Sequence, residues 1–348
     1  MTRRQVTSRD VATMAGVSRT TVSLVMNNAP GARLSDETRQ RVLQAARELG
    51  YYPKAAARSL ATGKTQRIGL VLGEGLERLA ADAFLPVFLQ GLTISAHQQG
   101  YLVVVQLAED TTDQEEYIWL IREQQVDGLI LSGPSLNSPL LPKLAEERFP
   151  LILHGRLKDS GFTYIDVDNS KGAHTAVRHL IELGHRRIGF ISNAHFSFSG
   201  TQERFAGYTQ ALAEQDIAYN SDLVRVASFL PESGKTAMEQ MLRLPKRPTA
   251  VFAASDVIAF GAMRAIHAAG LRIPEDVAVV GFDDSFLSAH AHPPLTTVRV
   301  PAHELGWTAA ELLVPLIEGD EAVPSVTLET ELVIRDSCGA KTGRGERR

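Results

Sequence analysis

Thr7-Ser-Arg-Asp10-Val-Ala-Thr-Met-Ala15-Gly-Val-Ser18-Arg-Thr-Thr-Val-Ser-Leu-Val-Met-Asn27 is the stretch from which the rest of the chain can be read. Thr7 stands three residues before Asp10, the spacing of a capping box, and Val11, Ala12, Met14 and Ala15 follow as the apolar side of a short helix. Gly16 supplies a turn, and Ser18 caps a second helix in which Val22, Val25 and Met26 recur at helical spacing. Ser35 caps a third, with Asp36 and Glu37 in its first turn, Arg47 in its last and Gly50 as its stop. Two short helices joined by the small Ala15-Gly16-Val17 turn make a helix-turn-helix, whose second helix can enter a DNA major groove by its N-terminal end. Ser18, Arg19, Thr20, Thr21 and Ser23 are then within reach of phosphates or base edges, and Arg19 can pair bidentately with guanine.

Charge agrees with that placement. The chain of 348 residues has a formal net charge of -4, but residues 1–65 carry eleven Lys/Arg against four Asp/Glu, a surplus of +7, which leaves -11 on the other 283 residues. A basic head on an acidic body suits contact with a polyanion through the head alone. No run of 18 apolar residues occurs, and no apolar segment follows Arg3 and Arg4, so the expectation is a cytoplasmic protein without membrane span or signal peptide. A single cysteine, Cys338, excludes an internal disulfide and any multi-cysteine metal site.

After Tyr51-Tyr52-Pro53 comes Lys54-Ala-Ala-Ala57-Arg58-Ser-Leu60-Ala-Thr-Gly63, an Ala-rich stretch too short to hold a helix alone in water. Two copies side by side on DNA could fold it, and Leu60 would suit a wedge between base steps in the minor groove. Asp10-Val-Ala-Thr-Met-Ala-Gly-Val-Ser18, Thr21-Val-Ser23, Asn27, Ser35-x-x-Thr-Arg39, Leu49-Gly-Tyr51, Pro53 and Ala57-Arg-Ser-Leu60 together resemble the LacI/GalR family of bacterial repressors. The resemblance implies that Arg19 and Thr20 read bases, that Leu60 enters the minor groove, and that Thr7, Ser18 and Asn27 make backbone or supporting contacts; Lys54, Ala57 and Arg58 complete the expected DNA-binding set. Leu24 stands where many members carry Arg, and Lys54 where Asn commonly follows the Pro.

Beyond a short linker, strand and helix patterns alternate. Ile68–Leu72, Tyr101–Leu107, Gly128–Leu131, Leu151–His154, Arg187–Ile191, Ala250–Ala253 and Val277–Gly281 read as buried parallel strands, with helices over 84–99, 113–124, 170–183, 202–215, 256–269 and 303–318. Repeated βα units make doubly wound sheets, and so long a body requires two lobes. The fold class is therefore α/β: an all-α headpiece (1–52) and hinge helix with linker (53–65), then a two-lobed body (66–338), which the resemblance implies to be periplasmic-binding-protein-like. Lobe 1 is expected at about 66–168 and 300–329, lobe 2 at about 169–299 and 330–338, and a disordered basic tail at 339–348.

Enzyme motifs fail in the body. Ser233-Gly-Lys-Thr236 would need glycine at Phe229 to form a phosphate-binding loop, Gly73-Glu-Gly75 lacks its third glycine, and no Gly-x-Ser-x-Gly occurs. His290-x-His292 near Asp283 and Asp284 could hold a metal, the alternative being a polar loop before Pro293-Pro294, and the expectation is neither metal nor cofactor. In open α/β sheets ligands sit beyond the carboxyl ends of the strands. There the chain places Gly73-Glu74, His154-Gly-Arg156, Asp168-Asn169, Ser192-Asn193, Ser255-Asp256 and Phe282-Asp283-Asp284, a mixture suited to a polyhydroxylated ring.

The resemblance adds Arg204, within Glu203-Arg-x-x-Gly-Tyr208, as an anchor for hydroxyls or carboxylates, with Asp283 on the facing wall, Phe229 as an aromatic lid and Phe84 on the opposing lobe. The expected ligand set is thus Phe84, His154, Arg156, Asp168, Asn193, Arg204, Phe229, Ser255, Asp256 and Asp283. Alternatives stay open: Arg204 as a structural pair, Phe84 and Phe229 as core, Asp168-Asn169 as a helix cap. The whole is expected to be a homodimeric repressor of a pseudo-palindromic operator, controlled by a small-molecule effector, most simply a sugar or glycoside inducer. A nucleoside or a protein corepressor is the alternative, and a solute-binding protein a remote one.

Overall fold

The three N-terminal helices start and stop where their caps dictate. Helix α1 (Ser8–Ala15) opens with the Asp10 carboxylate accepting from the Thr7 amide at 2.8 Å and the Thr7 hydroxyl at 2.7 Å. Gly16 ends it at φ 64°, a left-handed conformation that a side chain would strain. Ser18 Oγ caps α2 (Arg19–Met26), accepting from the Thr21 amide at 3.1 Å; Ser35 Oγ caps α3 (Asp36–Leu49), accepting from the Thr38 amide at 3.2 Å. Val11, Val22, Val25 and Val42 meet in a small buried core between them.

The structure, a computed structural model, describes residues 6–27, 34–52, 59, 63–73, 81, 83–108, 115–133, 140–320 and 322–340. Lys54, Ala57, Arg58 and Leu60 lie outside the described residues, as do Glu74 and residues 341–348 of the expected tail. Residues 1–66 and 67–348 form two units, each described by itself.

Among the described residues of the second unit there are twelve strands: β1 (Arg67–Gly73), β2 (Leu102–Ala108), β3 (Gly128–Ser132), β4 (Leu151–His154), β5 (Thr163–Val167), β6 (Ile188–Ile191), β7 (Val224–Arg225), β8 (Ala250–Ala253), β9 (Ala278–Asp283), β10 (Thr296–Arg299), β11 (Val326–Leu328) and β12 (Glu331–Val333). One sheet has the order β11-β5-β4-β3-β1-β2 and the other β12-β10-β9-β8-β6-β7, so the same winding occurs twice. All the pairings are parallel except that of β10 with β12. Central strands such as β3 and β8 are buried at every position, because helices cover both faces. Those helices are α4 (Phe84–Gln98), α5 (Glu115–Arg122), α6 (Leu140–Glu146), α7 (Asn169–Glu182), α8 (Ser199–Ala213), α9 (Pro231–Leu242), α10 (Asp256–Ala268) and α11 (Ala302–Glu318). The chain passes from one sheet to the other at Val167–Asn169, returns at Arg299–Ala302, and crosses again at Leu328–Glu331.

Three helix pairs pack closely through glycine. A methyl group on Gly91 or Gly306 would overlap backbone of the facing helix between α4 and α11; so would one on Gly234 or Gly261 between α9 and α10, and one on Gly207 of α8 would overlap the Ser170 carbonyl oxygen of α7. Contact of backbone on backbone fixes the depth of each pair, and hence the height of side chains at the helix ends.

The seven expected strands and six expected helices of this unit are all present, with ends displaced by up to three residues. Five strands and two helices were not anticipated. β7, β11 and β12 are only two or three residues long, β5 is interrupted by Asp166, and β10 is two threonines, a valine and an arginine, so none shows a long apolar run. α9 starts at Pro231, favourable at a first helical turn, inside the stretch weighed only as a phosphate loop.

Candidate functional site

On the headpiece the cap of α2 settles which side chains are presented. Ser18, Arg19, Thr20 and Ser23 are exposed along its N-terminal half, while Val22 and Val25 face the core. Thr21 is half-buried and its hydroxyl bonds Ser18 Oγ at 2.9 Å, so it serves the cap as much as the surface. Asn27 Nδ2 donates to Ser23 Oγ at 3.2 Å, and exposed Thr7 has its hydroxyl on Asp10. Half-buried Leu24 offers no hydrogen bond on this face.

In the body the carboxyl ends of both sheets open onto one cleft, whose space of about 820 Å³ includes open solvent. Seven of the ten expected residues line it: Phe84, His154, Asn193, Arg204, Phe229, Ser255 and Asp283. Arg204 is held by the protein's own groups. Its Nε donates to Asn169 Oδ1 at 2.9 Å, its Nη1 to the Ala254 carbonyl at 2.5 Å, and its guanidinium carbon lies 4.0 Å from the centre of the Phe282 ring. A guanidinium held at these points has little rotamer entropy left to lose. His154 shares a hydrogen bond with Ser132 Oγ at 2.9 Å and stacks with both Phe84 and Phe88, with centroids at 5.6 and 4.5 Å, the two phenyl rings being 6.0 Å apart. On the other wall Phe229 meets Phe198 edge-on at 5.7 Å, and its amide donates to the Asn193 carbonyl at 2.7 Å. Phe229 and Asp283 have φ of 48° and 117°, backbone strain of the kind that gathers at binding sites.

Three expected residues are placed elsewhere. Arg156 points to Glu203 of α8, with Nη2 and Nε at 2.7 and 3.0 Å from one carboxylate oxygen. Asp168 caps α7, accepting from the Lys171 amide at 2.8 Å. Asp256 is buried under the β9–β10 ends, accepting from Thr297 Oγ1 at 2.5 Å, Ser288 Oγ at 2.6 Å and the Ser285 amide at 2.7 Å. Burial pushes its pKa up to about 6, and those three donors oppose the shift. Asp284, weighed with His290 and His292 as a metal ligand, has its carboxylate on Arg335 at 2.6 Å and Arg299 at 2.8 Å. The described residues hold no group of three or more side chains able to bind a metal ion.

Sequence reasoning missed Ser132, Asp166, Phe198 and Thr201, all of which line the cleft. Ser132 is the last residue of β3, which had been ended one residue early, and Asp166 belongs to the unread β5. Burial, with the nearby Glu203 carboxylate second, pushes Asp166 up to about 7 against the pull of the Val167 amide, Arg204 and Asn169. The folded value lies above the ordinary 3.8, so between the two the folded chain keeps a proton that the unfolded chain releases. The stability tied to that proton is fully present below about pH 4 and lost as pH rises through about 7. The melting temperature of the protein relative to an Asp166→Asn variant should therefore fall from pH 4.5 to pH 7.5. A flat difference would show Asp166 ionised throughout.

A basic helix-turn-helix headpiece followed by a two-sheet body with a cleft at its strand ends defines a class, the transcription regulators whose DNA affinity answers to an effector. Comparison with known proteins gives the family. Residues 7–54 match the bacterial regulatory proteins of the lacI family, and residues 177–338 match the periplasmic binding protein-like domain. The HTH-type transcriptional regulator CelR of Thermobifida fusca is 38% identical over 339 residues, 96% of this chain and 99% of CelR. A structure of the CelR–cellobiose complex is similar with a TM-score of 0.73 at 36% identity, covering 96% of this chain and 100% of that one. The lac repressor dimer bound to operator and the anti-inducer ONPF gives a TM-score of 0.84 at 30% identity, covering 96% and 99%. The chain belongs to the LacI family of bacterial transcriptional regulators, and its relatives are regulators rather than enzymes. No helix among the described residues is long and apolar enough to cross a membrane.

Proposed function

We propose that this regulator is a homodimeric repressor whose operator is released when a sugar or glycoside occupies the cleft. The observation that carries the effector class is Arg204, fixed by two hydrogen bonds and Phe282, in one cleft with Asp283, Asn193 and the aromatic walls of Phe84, His154, Phe198 and Phe229. Forked donors and carboxylates pair with vicinal hydroxyls, and flat rings cover the apolar face of a pyranose. CelR, so similar along its length, has been solved with cellobiose. Pairing of two copies is supported by exposed Val87 and Ile94 on α4 and by Leu102 and Val105 on the edge strand β2, apolar side chains that a single copy leaves in water.

The test is anisotropy of labelled fragments from the gene's own upstream DNA, at physiological salt with competitor, titrated with cellobiose, other sugars and nucleosides. One saccharide should displace the protein from one fragment. Displacement by a nucleoside alone would overturn the sugar class, and tighter DNA binding with a sugar would reverse the sign of control.

The headpiece reading has its own test. Arg19→Ala should lower affinity for the specific fragment about 10- to 100-fold, the worth of one bidentate base contact, and lower non-specific affinity much less. Equal losses on both DNAs would make Arg19 a phosphate contact.

A further inference from the structure

A ring of hydrogen bonds begins on one lobe, crosses to the other and returns. The Arg156 side chain, in the segment after β4, reaches Glu203 Oε1 on α8 at 2.7 and 3.0 Å. The backbone amide of Arg156 donates to Asp166 Oδ2 at 3.0 Å, at the end of β5. Asn169, just past the first crossing, donates to Asp166 Oδ1 at 3.0 Å and to Glu203 Oε2 at 3.4 Å, and its own side-chain oxygen accepts from Arg204 Nε at 2.9 Å. The circuit thus runs Arg156, Glu203, Asn169, Asp166 and back to Arg156, and Arg204 is attached to it at Asn169.

We infer that the Arg156–Glu203 ion pair is an inter-lobe strut that sets how far the cleft closes and, through Asn169, where Arg204 is held. Arg156 and Glu203 are positioning residues of the effector site and do not touch the effector. Neither lines the cleft. The Glu203 hydrogen bond and charge raise the pKa of Arg156, so the pair favours the ionised form of its cation. Two guanidinium donors converge on one carboxylate oxygen, which leaves the other oxygen for Asn169; an ammonium could not hold this arrangement by its shape. The side chains are 46% and 19% exposed, so the pair adds little to the stability of the fold. It is nevertheless sensitive to geometry, because opening the lobes would separate two residues carried by different lobes.

This inference rests on the cleft being the effector site, so its test has an arm without effector. In the full-length protein, hydrogen exchange is followed over residues 163–172 and 199–207, and cellobiose affinity is measured by calorimetry, for Arg156→Ala, Glu203→Gln and the double variant. Each single variant should speed exchange several-fold around Asn169 and weaken cellobiose about three- to tenfold, with little change in melting temperature. The double variant should be no worse than the worse single one, and Arg156→Lys should fall between wild type and Arg156→Ala. Additive losses, or loss with Arg156→Ala alone, would make Arg156 an effector contact and overturn the strut. Unchanged exchange in both single variants would overturn it as well. If the wild type ignores cellobiose, that sugar is removed from the proposed function while the exchange arm still decides the strut.

Discussion

Replacing Arg204 with alanine is expected to cost at least about a hundredfold in effector affinity, roughly 3 kcal/mol, while leaving operator binding without effector near the wild-type level. The size follows from hydrogen bonds to a charged group, worth about 1.5–3 kcal/mol each when buried. Truncation also takes the donors from Asn169 Oδ1 and the Ala254 carbonyl and uncovers the Phe282 ring, so the cleft loses its shape along with a contact. Arg204→Lys keeps the charge without the planar fork and should recover only part of the loss. Calorimetry with the effector, beside anisotropy on the operator fragment, separates the two functions: a variant that holds DNA at every effector concentration fits the assignment. Effector affinity within threefold of wild type would remove Arg204 from the site.

Gly207→Ala should have a large effect on the fold. Alanine is the better helix former by about 1 kcal/mol, so an exposed helical glycine would gain from the change. Here the added methyl would strike the Ser170 carbonyl oxygen, with the His174 nitrogen at 2.9 Å and the Ala173 methyl at 3.0 Å on its other sides. Backbone cannot rotate away as a side chain can, so α7 and α8 must separate, at about 3 kcal/mol, the upper part of the overpacking range. The body should melt roughly 6–10 °C lower. Arg204 lies one turn before Gly207 on α8, so effector affinity should fall as well. Gly200→Ala is the control, since its nearest neighbours are side-chain atoms of Asn169 at 4.0 Å. Equal melting temperatures for the two variants would refute the packing argument.

What was legible in the sequence was whatever local chemistry writes there. Thr7, Gly16, Ser18, Ser35 and Gly50 cap or end helices by contacts within a few residues, and all of them act as the sequence predicts. The buried strands announce themselves because helices cover both faces and every position must be apolar. Edge strands need no such run, and β7, β11 and β12 went unread. In the cleft, residues placed directly at strand ends were legible, as His154, Asn193, Ser255 and Asp283 show. Arg204 was found only through the family resemblance, since nothing in its neighbours says that Ala254, fifty residues away, will hold it. Arg156, Asp168 and Asp256 carry the right chemistry beside strand ends, but partners distant in sequence or a helix start claim them. Partner choice of that kind is tertiary, and no spacing rule contains it.

The threefold passage of the chain between the sheets also has a meaning for synthesis on the ribosome. An edge strand of the first sheet, Val326–Leu328, and one of the second, Glu331–Val333, are translated after the other ten strands, within eight residues of each other. Neither half of the body has all its strands until residues 326–333 have been made, and both acquire their last strand at nearly the same moment. A message cut short near residue 320 would yield two sheets with raw edges rather than one finished half and one missing half. Both sheets would lack an edge strand together, so the two halves of the body share one late segment for their completion.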